Sequence, residues 1–159
     1  MLNGKNIVLR SLQKKDLNFL ADIENNQENW EFGSERKIFT KDELLFYIKN
    51  AKIDIQVAKQ YRFAIELRGA VIGFVDIFDY NNNSAGIGII IVKEYRGRGV
   101  AKESLNLITD YAFTKLKLNY LYARIKRSNL LSINLFSSCG FAFQKEESGL
   151  QYFIKLAQK

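Results

Sequence analysis

The 159-residue sequence predicts a single α/β (α+β) domain over residues 1–159, a mixed central sheet with flanking helices. Three observations predict it. Short stretches that alternate apolar and polar residues recur between longer ones with apolar residues at helical spacing. An apolar run, Ile87-Gly88-Ile89-Ile90-Ile91-Val92, leads into a glycine-rich turn, Arg96-Gly97-Arg98-Gly99, where a helical pattern begins. No repeat, linker or low-complexity segment interrupts the order, and the length suits one domain with a substantial core.

In chain order, Ile7 to Arg10 reads as a first strand. Asp16 is an N-cap candidate for a helix with Leu17, Leu20 and Ala21 on one face. Residues 24–39 read as irregular and polar, with Trp30 and Phe32 inside them. Thr40-x-x-Glu43 is a capping box that starts a second helix carrying Leu44, Leu45 and Ile48. Tyr61 to Leu67 and Val71 to Tyr80 form a hairpin around Arg68-Gly69. Asn81-Asn82-Asn83-Ser84 is turn chemistry leading into the central strand. After Gly99, Ala101, Leu105, Ile108 and Ala112 make a helical stripe. Asn119 to Lys126 alternates as a strand, Ser128 or Asn129 caps a helix that stops at Gly140, and two strands around Gly149 finish the chain. The order is β-α-α-β-β-β-α-β-α-β-β.

Composition removes several classes of function. Hydrophobic residues make up 47% and charged residues 26%, which is ordinary for a globular chain and excludes a disordered one. No apolar run reaches the roughly 18–20 residues that span a bilayer, and the N-terminus lacks a signal-peptide core. The expected location is the cytoplasm. The chain has one cysteine and no histidine, so Ser-His and Cys-His catalysis are absent and no metal site is expected. A lone Cys139 fits a reducing compartment and reads as a small packing residue. The formal charge of +7 attracts phosphate. Arg96, Arg98, Lys102, Arg124, Lys126 and Arg127 gather near the stretches discussed next, so a small phosphorylated ligand explains much of the excess and no nucleic-acid partner is expected.

The glycine turn has the physics of an anion site. Gly97 and Gly99 lack a Cβ, so the backbone can turn tightly and a ligand can approach its amides. The first amides of the following helix have no intrahelical partner and lie at the positive end of its dipole. Arg96, Arg98 and Lys102 add fixed charge around them. The turn lacks both the Gly-Lys-Ser/Thr ending of a P-loop and the three-glycine spacing of a dinucleotide fingerprint.

Further on, Asn129, Ser132, Leu135, Phe136 and Gly140-Phe141 spell Asn-x-x-Ser-x-x-Leu-aromatic-x-x-x-Gly-Phe. With Arg-x-x-Gly-x-Ala at Arg96, Gly99 and Ala101, about thirty residues upstream and with a strand between, the chain closely resembles the GNAT superfamily of acyl-coenzyme A-dependent N-acetyltransferases. The resemblance covers nearly the whole chain and is strongest toward the ribosomal-protein-alanine and spermidine N-acetyltransferase branch. It implies the GNAT acyl-CoA N-acyltransferase fold and acetyl-CoA (coenzyme A) as co-substrate. It also implies that Arg96, Gly97, Arg98, Gly99, Val100, Ala101 and Lys102 cradle the coenzyme pyrophosphate. Asn129, Ser132 and Phe136 would then lie along the pantetheine arm. Ile89, Ile90 and Ile91 would supply backbone groups where the central strand splays from its neighbour at a bulge. A homodimer is among the assemblies it allows.

Two positions depart from the family pattern. Phe136 stands where many relatives have a tyrosine that protonates the leaving thiolate, and Gly86 stands where many have a glutamate. Asp76, Phe78 and Tyr80 share a strand face by alternation, which makes Asp76 and Tyr80 the replacement catalytic candidates. Glu28, Trp30, Glu31 and Phe32 fall where the superfamily builds its acceptor wall. The leading expectation is an acetyl-CoA-dependent N-acetyltransferase in which a primary amine attacks directly in a ternary complex. The acceptor could be a protein N-terminus, a polyamine or another small amine. The alternatives are a non-catalytic acyl-CoA-binding module, kept open by Phe136 and Gly86, and a ribosome- or RNA-binding protein.

Overall fold

The computed structural model describes residues 1–26 and 37–158. Its strands are β1 (Leu2–Asn3), β2 (Ile7–Ser11), β3 (Tyr61–Leu67), β4 (Ala70–Phe78), β5 (Ser84–Ile91), β6 (Tyr120–Lys126), β7 (Ala142–Glu147) and β8 (Leu150–Leu156). The helices are α1 (Leu17–Glu24), α2 (Lys41–Asn50), α3 (Ile55–Ala58), α4 (Val100–Thr114) and α5 (Leu130–Ser138). The strands form one sheet in the order β1-β2-β3-β4-β5-β6-β8-β7. Neighbours are antiparallel except β5 and β6, which run parallel. The two-residue β1 and the single-turn α3 are additions to the order expected from the sequence. No helix among the described residues is long and apolar enough to cross a membrane.

The sheet separates two apolar layers. On one face Phe63, Ile65, Val75, Ile77, Ile87 and Leu121 pack against Leu105, Ile108 and Ala112 of α4 and Phe136 of α5. On the other, Ala64 and Phe74 meet Leu20 and Ile23 of α1 and Leu44 and Ile48 of α2. The two-residue period of a strand produces this division. Odd-numbered residues of β5 serve the α4/α5 layer, and even-numbered ones face the α1/α2 side.

Local signals in the sequence are realised at most element ends. Thr40 Oγ1 accepts the Glu43 N–H at 3.1 Å and Glu43 Oε1 accepts the Thr40 N–H at 3.1 Å, closing the capping box of α2. Arg68 and Gly69 have φ of 50° and 82°, the doubly left-handed turn that suits a two-residue hairpin. Asn129, not Ser128, caps α5: its Oδ1 accepts the Ser132 N–H at 3.2 Å. Strand β4 ends earlier than the alternation suggests, because Asp79 takes a left-handed φ of 48°. That residue breaks the two-residue period before Tyr80.

Asp16 corrects the expected helix cap. It occupies the N-cap position of α1, but its side chain does not cap the helix. Instead the carboxylate, buried, accepts two bonds from Arg10 at 2.8 and 2.9 Å and one from the Gln13 N–H at 2.8 Å. Arg10 also pairs with Glu66. Burial pushes the Asp16 carboxyl up, but the Arg10 and Gln13 bonds outweigh it and hold the group below its ordinary value. A lowered carboxyl stabilises the fold above its unfolded-state value and loses that contribution as pH falls through the folded one. Removing one partner of a buried pair costs about 3–5 kcal/mol when the other charge is left uncompensated; Arg10 keeps Glu66, which moves the cost toward the lower end of that range. Asp16→Asn should therefore lower the denaturation midpoint strongly at pH 7, with the gap to wild type narrowing under acid conditions, as urea titrations at both pH values would show.

Candidate active site

The centre of the site is a gap in the sheet. Strand β5 pairs with β4 along its length from Gly86 to Ile91, yet with β6 only at Ser84↔Tyr120, Ala85↔Leu121 and Gly86↔Tyr122. On its other edge β6 pairs with β8 throughout, from Tyr120 to Lys126, so only the edge toward β5 opens. The β4–β5 register is unbroken, so the expected bulge in the central strand is absent. Divergence of β6 alone opens the splay.

Register fixes which backbone groups face the gap. The Val92 N–H donates to the Ile72 carbonyl at 2.9 Å, so Ile90 and Gly88 also turn their backbone toward β4. Ile89 and Ile91 therefore turn theirs toward the space β6 has left. The Ile91 carbonyl accepts Arg96 Nε at 2.9 Å. Among the described residues the N–H and C=O of Ile89 and the N–H of Ile91 have no strand partner. Of the three candidate backbones, Ile89 and Ile91 thus present open groups, whereas those of Ile90 belong to the β4 ladder.

At the end of β5 the chain makes a 3-10 turn, Lys93–Tyr95, and then the glycine turn. Gly97 and Gly99 have φ of 75° and 80°, and a Cβ built on either meets nothing within 4 Å. The turn therefore needs left-handed backbone and faces open space. Gly99 is the N-cap of α4, and its carbonyl accepts the Glu103 N–H, so the amides of Val100, Ala101 and Lys102 precede the first helical bond. Arg96 is held across the strand end, Arg98 lies over the Tyr95 ring at 5.3 Å, and Lys102 is exposed. These groups fit a pyrophosphate. On the inner side of α4, Glu103 accepts the N–H groups of Asn6 and Ile7, which ties β2 to the first turn of the helix.

A cleft of about 1240 Å³ runs through the splay. Ile89, Ile90, Asn129, Ser132 and Phe136 line it, while Ile91 and the Arg96–Lys102 turn lie beyond its end. The opposite end is walled by Glu24, Asp42, Glu43, Tyr47, Arg62 and Asp76. Arg62 organises that wall. It donates from Nε and Nη2 to the two Asp76 oxygens at 2.6 and 2.8 Å, and from Nη1 to Glu24 at 2.5 Å. Its guanidinium lies 4.9 Å from the Phe74 ring centre and 5.8 Å from that of Tyr47. Burial opposes its charge, but the two carboxylates prevail and raise its pKa well above the ordinary value. Burial likewise pushes the Tyr47 phenol up.

The structure separates the two catalytic candidates. Asp76 faces the cleft, clamped by Arg62. Tyr80 does not: it is buried in the α4/α5 layer, with its hydroxyl bonded to Gln56 Nε2 at 2.6 Å and within 3.5 Å of Asn82 Oδ1. The left-handed Asp79 is the cause, because it ends the alternation that would have kept Tyr80 beside Asp76. Phe136 lines the cleft edge-on to Phe141, and Cys139 is buried near the end of α5 with its carbonyl held by Lys155 at 2.7 Å. Gly86 is filled from elsewhere: a Cβ there would overlap the Phe78 ring, which is flanked by Arg124 at 5.2 Å and Tyr122 at 6.0 Å. Glu28, Trp30, Glu31 and Phe32 lie outside the described residues. Glu24, Tyr47 and Arg62 were not singled out in the sequence, and Phe78 and Arg124 were named there without the packing role they have around Gly86. Only the presence of Arg62 and Asp76 on paired strands hinted at the first network.

Two outcomes check this geometry. Gly99→Val should weaken coenzyme A binding at least tenfold, about 1.4 kcal/mol, by calorimetry, because its side chain would project into the open space before the helix amides. Gly69→Val introduces the same left-handed strain, at φ 82° in the hairpin, and should leave binding unchanged. Cys139→Ala should keep turnover within a few-fold, since the thiol is enclosed and has no basic partner; an activity loss in a variant of unchanged melting temperature would make the thiol a participant.

The arrangement has close counterparts. The family model described as "Acetyltransferase (GNAT) domain" matches residues 6–142. The spermidine N(1)-acetyltransferase of Vibrio cholerae is 32% identical over 154 residues, covering 93% of this chain and 85% of that protein. The enzyme of the same name from Escherichia coli K12 is 30% identical over 149 residues, covering 92% and 78%. The crystal structure of the Vibrio cholerae enzyme with CoA and spermine superimposes with a TM-score of 0.82 at 27% identity, covering 95% of each chain. The unpaired β5 edge, the glycine turn and the α5 motif thus occur together in a chain that belongs to the GNAT acetyltransferase family and is an acetyl-CoA-dependent N-acetyltransferase.

Proposed function

We propose that this N-acetyltransferase acts on a polyamine, with the spermidine class as acceptor. The observation that carries the reading is the single cleft that joins the open β5 edge to a wall containing Glu24, Asp42, Glu43 and Asp76. Arg62 pairs with Glu24 and Asp76, and Lys37 pairs with Glu43. Two cations thus stand against these four carboxylates and that end keeps a net negative field, which suits a chain bearing several ammonium groups better than a peptide N-terminus. The spermidine-acetylating relatives support the same class. Use of acetyl-CoA and the unpaired thiol of Cys139 favour a cytoplasmic setting.

Acetyl-CoA supplies an activated acetyl thioester. The open N–H of Ile89 or Ile91 would bond the arm of the coenzyme as a missing strand would, and one of them would polarise the thioester carbonyl, an oxyanion-hole effect. Asp76, clamped by Arg62 through two hydrogen bonds, would receive a cationic group of the acceptor. The free amine then attacks directly in the ternary complex, so rate comes mainly from positioning. Neither Phe136 nor Tyr80 can hand a proton to the departing sulfur, the first for lack of a donor and the second for lack of access. A thiol has a pKa near 8.5, so its thiolate leaves readily as the C–N bond forms and the C–S bond breaks, and water in the cleft can carry to it the proton shed by the attacking nitrogen. General acid assistance is worth about 10²–10⁴-fold where it operates, which slows an enzyme without it but does not abolish turnover.

A panel of polyamines, peptides and aminoglycosides, assayed by thiol release from acetyl-CoA, tests the reading. Spermidine or spermine should be the preferred acceptor. If the protein supplies no strong base, kcat/KM should rise about tenfold per pH unit from 7 to 9, following the free-base fraction of an amine of pKa about 10. Phe136→Tyr should change the rate by less than about tenfold. Tight coenzyme A binding with no acetylation of any amine from pH 6 to 10 would overturn the proposal.

A further inference from the structure

We infer that Gly88 is the specificity-determining residue of the acceptor site, and that the space left by its missing side chain receives the unbranched CH2–NH2 end of the amine. The inference rests on the polyamine reading above and specifies where the reacting nitrogen sits.

Three features of the structure point to this position. Gly88 pairs with Asp76 across the β4–β5 ladder, so the two positions lie side by side on the α1/α2 face, where Asp76 presents its clamped carboxylate to the cleft. Gly86, the next residue on that face, offers no room, since the Phe78 ring already occupies the volume of its side chain. At Gly88 the nearest atom to a built Cβ is Phe78 Cε1, 3.8 Å away, and the residue lines the cleft. The result is a free side-chain position beside the Phe78 ring, next to Asp76 on the paired strand and open to the cleft; we treat it as a slot for the acceptor.

Position along the strand gives the slot its chemical role. Ile89, the next residue, turns its backbone polar groups into the gap where the coenzyme arm is held. An amine seated over Gly88 therefore lies one residue from the group that would polarise the thioester carbonyl. Phe78 bounds the slot as a flat apolar wall and is fixed by Arg124 and Tyr122. Such a slot admits a methylene next to nitrogen. A substituent on that carbon would meet either the ring or the strand backbone, so amines on branched carbons, including peptide N-termini, are disfavoured.

Gly88→Ala is a clean probe. The added methyl would sit at ordinary contact distance from Phe78, and the backbone at Gly88 is not left-handed, so folding should be retained. The expected result is a loss of at least tenfold in kcat/KM for spermidine, with the KM for acetyl-CoA and the calorimetric affinity for coenzyme A unchanged. Spermine binding to the coenzyme A-loaded variant should weaken in parallel, a readout independent of turnover. Adding Phe78→Ala to Gly88→Ala widens the slot and should restore part of the loss. The wild type should favour spermidine at least tenfold over a polyamine methylated on the carbon beside each primary amine. If the wild type acetylates spermidine but Gly88→Ala does so equally well, or the branched amine is used equally well, the slot is refuted and the polyamine reading stands. If the wild type acetylates no polyamine, both fall together.

Discussion

The structure depends on a ladder that stops early. A strand inside a sheet normally satisfies backbone groups on both sides, and buried groups left unpaired cost free energy comparable to a lost hydrogen bond. Here β5 keeps its β4 partner to the end but loses β6 after Gly86↔Tyr122. The sheet is thereby divided into a five-strand part and a three-strand part joined by three residue pairs. The cleft is a direct consequence, because its walls are the facing edges of the two parts. Groups that would have bonded β6 are left at the surface of this cleft, preorganised to bond an extended ligand in its place.

A second irregularity positions the charge on the acceptor side. From the Arg68-Gly69 turn the β3–β4 pairing begins as Leu67↔Ala70 and Glu66↔Val71, then shifts by one residue to Ile65↔Gly73. The shift places Arg62 opposite Asp76. Without it, Arg62 would oppose Val75, whose side chain belongs to the α4/α5 layer, because a one-residue slip exchanges the two faces of a strand. Once on the correct face, Arg62 links β4 through Asp76, α1 through Glu24 and α2 through the Tyr47 ring. A bulge in the hairpin thus determines that the acceptor wall contains a clamped carboxylate rather than an isolated one.

These two features explain what the sequence revealed and what it concealed. Short-range chemistry was legible: the Thr40–Glu43 box, the Arg68-Gly69 turn, the glycines before α4 and the Asn129 cap are each specified by a few neighbouring residues. The coenzyme half of the site is made mostly of such local signals. The acceptor half was far less legible, because it depends on register and on single backbone angles. Alternation alone put Tyr80 beside Asp76, and the left-handed Asp79 undid it. A helix-capping motif suggested one role for Asp16, but Arg10 from the neighbouring strand claimed the carboxylate. Glycine at position 86 read as an empty catalytic position. In three dimensions it is the consequence of Phe78, whose ring takes the same volume.

The two halves of the site are nevertheless parts of one strand. Along β5 the odd residues Ile87, Ile89 and Ile91 direct their backbone into the gap and their side chains into the α4/α5 core. The even residues Gly86, Gly88 and Ile90 bond β4 with their backbone and direct whatever side chain they have toward the acceptor. On the reading proposed above, coenzyme recognition would be a property of backbone and would tolerate any residue that suits the core, whereas acceptor recognition would be a property of side-chain volume. This separation lets acceptor preference change by substitution at even positions without disturbing the coenzyme edge. On the same reading the two substrates would meet at adjacent residues of one strand, which is the alignment that direct attack on a thioester requires.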